Sequence, residues 1–245
     1  MVWARGWRRA GAAGVLALCL ATSAWADTLV VRASGPSAQT YRPGAKLPDG
    51  GSVALKAGDV ITLLDGKGTR TLRGPGTFPV AAAATAPAAN VTLSALLDTK
   101  RVRRARTGAV RGTIKDGPAA GHKRPNLWLI DVAQPGLLCL ADPAAVRLWR
   151  ADSTKPATFH IHGVGGHAAV AFAVGDAIAA WPTALPLADG AAYRIEGGAR
   201  PVDIRLATLD QAQPGLDAVA AGLIARGCEA QLDLLVDVAA SGPAN

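Results

Sequence analysis

Closely spaced glycines divide residues 51–78, GSVALKAGDVITLLDGKGTRTLRGPGTF, into short apolar segments. These segments are rich in Val, Ile, Leu and Thr, which is typical of β-strands. Glycine recurs at intervals of about eight residues and suits the tight turns that join such strands. The pattern predicts a β-rich fold built from short strands, of the sandwich or barrel kind.

The sequence Gly66-Lys67-Gly68-Thr69 within this stretch resembles part of a nucleotide-binding loop. A P-loop requires a glycine, four residues and then Gly-Lys followed by Ser or Thr. Here a glycine follows the lysine, and Ile61 stands where the first glycine is needed. No helix is predicted to follow and present its N-terminus to phosphate. We therefore interpret this sequence as the tip of a hairpin between strands over residues 59–64 and 69–73.

Residues 1–26 have the three parts of a secretory signal peptide. Three arginines precede an uncharged apolar stretch over residues 10–20, and Ala24-Trp25-Ala26 supplies small residues at the positions that signal peptidase requires. The apolar stretch is short for a membrane span. We expect cleavage after Ala26 and a periplasmic protein, with the general secretory and twin-arginine routes both open.

Cleavage would leave two of the three cysteines, Cys139 and Cys228. An exported chain folds under oxidising conditions, so an even number of cysteines predicts a disulfide between them. The alternative is a pair of separate buried thiols.

The net charge of +8 arises from one segment. Residues 100–124 hold nine of the 26 Lys and Arg residues and a single acid. A helix over residues 94–106 would carry an arginine row on one side, which is suited to an anionic envelope component, a membrane surface or an acidic protein partner. The arginines of this predicted binding surface are Arg101, Arg103, Arg104 and Arg106. The alternative is a solvated linker, and nucleic acid is not expected as the partner of an exported chain.

The remaining patterns predict a mainly β chain with C-terminal helices. We expect a small β module over residues 27–80, a Pro/Ala linker with a basic helix and loop over 81–125, and a β-rich domain over 126–245. Apolar residues with helical spacing between residues 216 and 236 predict two helices separated by Gly227. This domain is interpreted as a β-sandwich that the helical hairpin closes.

Four short motifs in the first module consist mostly of turn residues and of short strand segments beside them. They are Tyr41-Arg42-Pro43-Gly44, Gly50-Gly51-Ser52-Val53, Leu55-Lys56-Ala57-Gly58-Asp59-Val60-Ile61-Thr62 and Arg70-Thr71-Leu72-Arg73-Gly74-Pro75-Gly76. With these motifs, residues 29–80 resemble the periplasmic domain of the FecR family, bacterial regulators that relay signals across the envelope. Members of that family also have a cytoplasmic anti-sigma segment and a membrane span. The resemblance implies a free-standing β module of the envelope.

Three histidines are the candidate metal ligands. His160 and His162 would lie on one face of a strand, and His167 follows a glycine-rich turn. The alternative is a solvent-facing side of the strand that alternates with buried Phe159 and Ile161. Because no acid lies between residues 153 and 174 to orient an imidazole, no metal or other cofactor is predicted.

Two tryptophans, Trp149 and Trp181, are candidates for stacking on a sugar or, alternatively, for the core of the sandwich. The chain has no G-x-S-x-G motif, and no catalytic pattern distinguishes its two glutamates, Glu196 and Glu229. We therefore expect a non-enzymatic protein that recognises a protein or envelope component in signalling or assembly. The alternative is a secreted protein that binds or acts on polysaccharide through the second domain. The sequence predicts no oligomeric state.

Overall fold

Short strands dominate the chain in this computed structural model, which describes residues 27–65, 68–81, 96–97, 124–209 and 215–240. Two helices follow the last strand. The predicted fold class, mainly β with C-terminal helices, is confirmed. Neither of these two helices combines the length and the apolar character that crossing a membrane requires.

Six strands form between residues 27 and 79. They are β1 (Asp27–Ser34), β2 (Lys46–Pro48), β3 (Ser52–Leu55), β4 (Val60–Asp65), β5 (Gly68–Arg73) and β6 (Gly76–Pro79). Four of them make an antiparallel sheet in the order β2-β1-β4-β5, and β3 pairs with β6. The β3-β6 ribbon packs on one face of the sheet around Val30, Val53 and Leu63. This face buries every second residue, as the alternation of a strand requires.

The predicted hairpin at residues 65–68 is present. Strands β4 and β5 are antiparallel and end on the pair Asp65 and Gly68. The Asp65 carboxylate accepts a hydrogen bond from the Gly68 amide at 3.1 Å. The two residues at the tip, 66 and 67, lie outside the described residues.

Asp59 stabilises the turn before β4 and gives the module a predictable pH response. Its carboxylate is buried, with 2% of the residue exposed, and accepts hydrogen bonds from the amides of Ser37 at 2.8 Å and Lys56 at 2.6 Å. Burial raises the pKa of this carboxyl, but the hydrogen bonds from Ser37 and Lys56 outweigh burial and hold the pKa below its usual value. The stabilisation is therefore complete above the unfolded-state pKa and is lost as pH falls through the native pKa.

We expect Asp59→Asn to be less stable than the wild type near neutral pH and to show a smaller loss of stability on acidification. Urea unfolding at a series of pH values from 7 down to about 3 measures both effects. Parallel pH profiles for the two proteins would contradict this role of Asp59.

Eight further strands form between residues 129 and 208. They are β7 (Leu129–Asp131), β8 (Gly136–Leu140), β9 (Arg147–Trp149), β10 (Ala157–Gly163), β11 (Gly166–Phe172), β12 (Ile178–Ala180), β13 (Ala192–Glu196) and β14 (Val202–Thr208). One sheet has the order β11-β10-β13-β14-β8 and the other β12-β9-β7. Side chains of both sheets, such as Leu148 and Ile161, share one buried core. This is a sandwich-like arrangement.

The helices α1 (Leu216–Arg226) and α2 (Glu229–Ala240) form a tight hairpin. Gly227 ends α1 in the left-handed conformation, with φ of 74°, which favours glycine. The predicted disulfide is confirmed, because Cys228 at the turn is bonded to Cys139 on β8.

From the sequence, the helical hairpin was interpreted as closing the sandwich. In the structure it also packs on the first sheet. A second buried cluster joins Leu29 and Leu64 of the first sheet, Cys139 of β8, and Leu223 and Leu235 of the helices. The helices thus cover the second face of the β2-β1-β4-β5 sheet as well as one edge of the sandwich. The physical reason is that β1 and β4 are apolar on both faces and need cover on both.

Candidate functional site

A groove of about 640 Å³ lies between the first sheet and the α1-α2 turn. Strands β1, β4 and β5 provide one wall, and the two helices provide the other. The residues that line it are Val31, Arg32, Ala33, Ser34, Pro43, Val60, Thr62, Thr71, Arg73, Leu223, Ile224, Gly227, Glu229, Leu232 and Asp233. A volume of this size is in the range of natural ligand pockets.

The floor of the groove consists of buried apolar side chains. Val31 is 1% exposed, Leu223 is fully buried and Leu232 is 8% exposed. Beside them, the hydroxyls of Thr62 and Thr71 lie 3.3 Å apart and share a hydrogen bond across β4 and β5. A ligand in the groove would therefore meet an apolar surface flanked by hydroxyl groups that can donate or accept.

Charged side chains of both signs surround the floor. Arg32 on β1 donates to the Asp233 carboxylate on α2 through Nε at 3.1 Å, and its Nη1 lies 3.7 Å from Asp237. These groups are exposed, so the ion pair contributes at most about 1 kcal/mol and remains open to exchange with a ligand. Within the described part of the chain, Arg73 and Glu229 have no ion-pair partner.

The helical wall is held in place by one buried side chain and one covalent bond. Gln231 on α2 is 1% exposed. Its Oε1 accepts from the Cys139 amide at 2.6 Å, and its Nε2 donates to the carbonyls of Cys139 and Leu127, each at 2.9 Å. Together with the disulfide to Cys228, these bonds fix the start of α2 against β8. The groove is therefore pre-organised, which lowers the entropy cost of binding.

The lining provides hydroxyl, carboxylate and guanidinium groups, all of which can bind a ligand. Among the described residues, the lining contains neither histidine nor cysteine. The two carboxylates, Glu229 and Asp233, lie one turn apart on α2, and the second is engaged by Arg32.

The three candidate metal ligands lie on the outer face of the five-stranded sheet, away from the groove. His160, His162 and His167 are all exposed. The rings of His162 and His167 stack at 5.9 Å, and His162 Nε2 is 3.8 Å from a Glu196 oxygen. The described residues nevertheless contain no group of three His, Cys, Asp or Glu side chains arranged to hold a metal ion. The alternation predicted for this strand is present, since Ile161 is fully buried.

Both candidate stacking tryptophans are in the core. Trp149 is 5% and Trp181 is 7% exposed. Trp181 donates to the Leu185 carbonyl at 2.8 Å and meets the Tyr193 ring edge-on at 5.0 Å. Neither indole presents a face on which a sugar could stack, which corrects the stacking surface considered from the sequence.

The predicted basic surface falls outside the described residues. Its arginines, Arg101, Arg103, Arg104 and Arg106, belong to residues 98–123, and the predicted signal peptide over 1–26 is outside as well. In contrast, no groove was predicted from the sequence. Its closest sequence signal is the alternation of Thr71 and Arg73 on β5, which indicates a polar strand face but no partner for it.

Comparison with known proteins leaves the family open. No family model matches the chain, and no curated protein or solved structure matches it significantly. The likeness of residues 29–80 to the FecR periplasmic domain therefore stays a prediction.

Proposed function

We propose that this is an exported, non-catalytic recognition protein of the bacterial envelope. In this proposal it binds a short segment of a partner protein or envelope component in the groove between the first sheet and the α1-α2 turn. The observation that carries the proposal is the pre-organised groove, with its apolar floor and the charged side chains of both signs that surround it.

The charged side chains around the floor favour a particular kind of segment as the ligand of the groove. Recognition surfaces typically combine an apolar centre with a polar edge. A partner segment with one apolar side chain would pack on the half-buried Val60 and Ile224, and charged neighbours on that segment would meet Arg73 and Glu229. Backbone amides and carbonyls of the segment would pair with the hydroxyls of Thr62 and Thr71.

The predicted export to the periplasm agrees with the same role. The Cys139–Cys228 disulfide is compatible with an exported protein, since such bonds persist in oxidising compartments. The resemblance of the first module to an envelope signalling domain agrees with a function in sensing or assembly. In this arrangement the FecR-like module supplies one wall of the groove, and the C-terminal helices supply the other.

Filling the groove should abolish recognition. Thr71→Trp adds a large side chain at an exposed position of β5 that lines the groove. We expect capture of the partner from envelope extract by the immobilised protein to fall at least about tenfold, because tenfold corresponds to about 1.4 kcal/mol and loss of a central contact costs about 2 kcal/mol or more. Quantitative mass spectrometry of the captured proteins measures the change.

Thr77→Trp is the matched control, because Thr77 is also exposed on a strand of the same module but lies outside the groove. Partners that both variants retain, or that both lose, would count against the groove as the binding site. Selective retention of a polysaccharide instead of a protein would favour the second function considered from the sequence.

A further inference from the structure

Strand β11 is an edge of the five-stranded sheet. It pairs with β10 on one side, and no strand of the described chain pairs with its other side. Over its seven residues, alternate backbone amides and carbonyls point away from β10. An open edge of this length is a template for another strand.

The edge lacks the protection that soluble proteins normally provide. Lys, Arg, Pro or a bulge usually discourages pairing at such positions. From residue 157 to residue 175 the chain has no charged residue and no proline, and the β10-β11 register is regular. At the edge of the first sheet, in contrast, β5 carries Arg70 and Arg73. The edge strand β5 therefore carries charges that discourage pairing with another strand, whereas β11 carries none.

Two exposed valines lie at the ends of this open edge. Among the described residues, Val164 and Val174 are the large apolar side chains that are exposed, by 61% and 66%. Val164 is in the turn before β11, and Val174 is in the turn after it.

The turn that carries Val174 is firmly held. Arg150 is 5% exposed, stacks over the Phe172 ring at 5.0 Å and donates to the carbonyls of Ala173 and Asp176, each at 2.8 Å. Such a pre-ordered turn loses little entropy when it becomes part of an interface.

We propose that β11 pairs with β11 of a second copy of this chain, antiparallel, about a two-fold axis at Ala169. Ala169 is the midpoint of the strand from Gly166 to Phe172, so this register pairs its whole length. It is also the midpoint between Val164 and Val174, so the same axis brings each exposed valine of one copy to the other valine of its partner. One axis thus covers the apolar groups at both ends, which is the self-complementarity that a two-fold interface requires.

The hydrogen-bond pattern of the hairpin agrees with this axis. The β10-β11 turn has two residues and closes on the pair Gly163 and Gly166. In such a hairpin the closing pair is hydrogen-bonded and the pattern then alternates, so His167, Ala169 and Ala171 direct their amides and carbonyls outward. These residues are the ones that face each other about Ala169, so the two open edges match donor to acceptor.

The side chains on this face also fit a second copy. Ala169 would face its own counterpart, and His167 would face Ala171 of the other copy. No like charges meet, and the small alanines allow the strands to approach to normal spacing. Because one strand pair and four valines make a small interface, we expect reversible dimers with a Kd on the order of micromolar.

The mass of the purified protein should depend on concentration. Sedimentation between about 1 and 200 µM should show a rise from the monomer mass toward twice that value. Ala169→Lys should shift the midpoint to at least about tenfold higher concentration, because it places two like charges directly opposite each other on the axis. Ala54→Lys, at an exposed alanine of β3, is the matched control and should dimerise like the wild type.

A mixing experiment tests the axis itself. At the concentration where half of the wild type is dimeric, Ala169→Lys and Ala169→Glu should each be mainly monomeric alone and should form a heterodimer when mixed, because position 169 faces position 169. Circular dichroism confirms that each variant is folded. A wild type that stays monomeric up to 200 µM would overturn the proposal, as would a dimer that Ala169→Lys leaves intact. Loss of an envelope partner in Ala169→Lys together with a monomeric wild type would assign the edge to another chain and would equally overturn it.

Discussion

Removal of the disulfide is expected to lower the free energy of unfolding by about 4 kcal/mol. Cys139 and Cys228 are 89 positions apart in the sequence, and a cross-link that closes a loop of this length removes much of the entropy of the unfolded chain. Urea unfolding of Cys139→Ala/Cys228→Ala against the wild type measures the difference.

Dithiothreitol provides the control for this pair of substitutions. The reductant should destabilise the wild type by a similar amount and should leave the double variant unchanged, since the variant has no bond to reduce. The Ala substitutions also remove two buried sulfur atoms, so only the part of the loss that the reductant reproduces belongs to the bond. A wild type whose urea midpoint is insensitive to the reductant would contradict a stabilising role.

The disulfide has a functional consequence if the groove is the binding site. Cys228 directly follows Gly227, which lines the groove. Loss of the bond would leave Gln231 and apolar packing to hold the α1-α2 turn against β8, so the helical wall would be less firmly fixed. We therefore expect reduction to weaken partner capture more than Thr77→Trp does, even where the protein remains folded.

Local sequence signals predicted most of the individual elements. Residues 136–140, GLLCL, are a continuous apolar run that begins at a glycine and ends before a turn, and strand β8 has the same bounds. The first C-terminal helix ends at Gly227 as predicted, because few residues other than glycine adopt the left-handed conformation required there. In both cases the determining interactions lie within a few residues of one another.

Elements that depend on distant partners were missed. Strands β2, β6 and β12 have three or four residues each, too few to show a period, and they form because a neighbouring strand offers hydrogen bonds. Residues 76–79 lie beyond the strand predicted over residues 69–73 and were assigned to no strand, whereas they pair with β3. Register with a partner strand is a tertiary property that local composition does not encode.

The contacts in the groove and around the exposed histidines of β10 and β11 also depend on residues that are distant in the sequence. Val31 and Leu232 meet on the groove floor although about 200 positions separate them in the sequence. The sequence places no acid near His162, yet β13 brings Glu196 to within 3.8 Å of its imidazole. Alternation along β10 predicts which side chains point outward, and only the sheet order determines what they meet.

Gln231→Leu is expected to be among the most destabilising single substitutions in the described chain. The leucine fits the volume but leaves three buried backbone groups without partners, namely the Cys139 amide and the carbonyls of Cys139 and Leu127. Each unpaired buried group costs about 1–3 kcal/mol, so we expect the three together to lower the free energy of unfolding by at least about 3 kcal/mol. Urea unfolding against the wild type measures it.

Two further variants separate the hydrogen bonds from simple packing. Gln134→Leu makes the same chemical change at an exposed position and should alter the free energy of unfolding by less than about 0.5 kcal/mol. Gln231→Glu keeps the acceptor for the Cys139 amide but loses the donor to the two carbonyls when ionised. Its stability relative to the wild type should therefore recover as the pH is lowered and the carboxyl is protonated. If Gln231→Leu were as stable as Gln134→Leu, the attachment of α2 to β8 would have to rest on apolar packing and the disulfide instead.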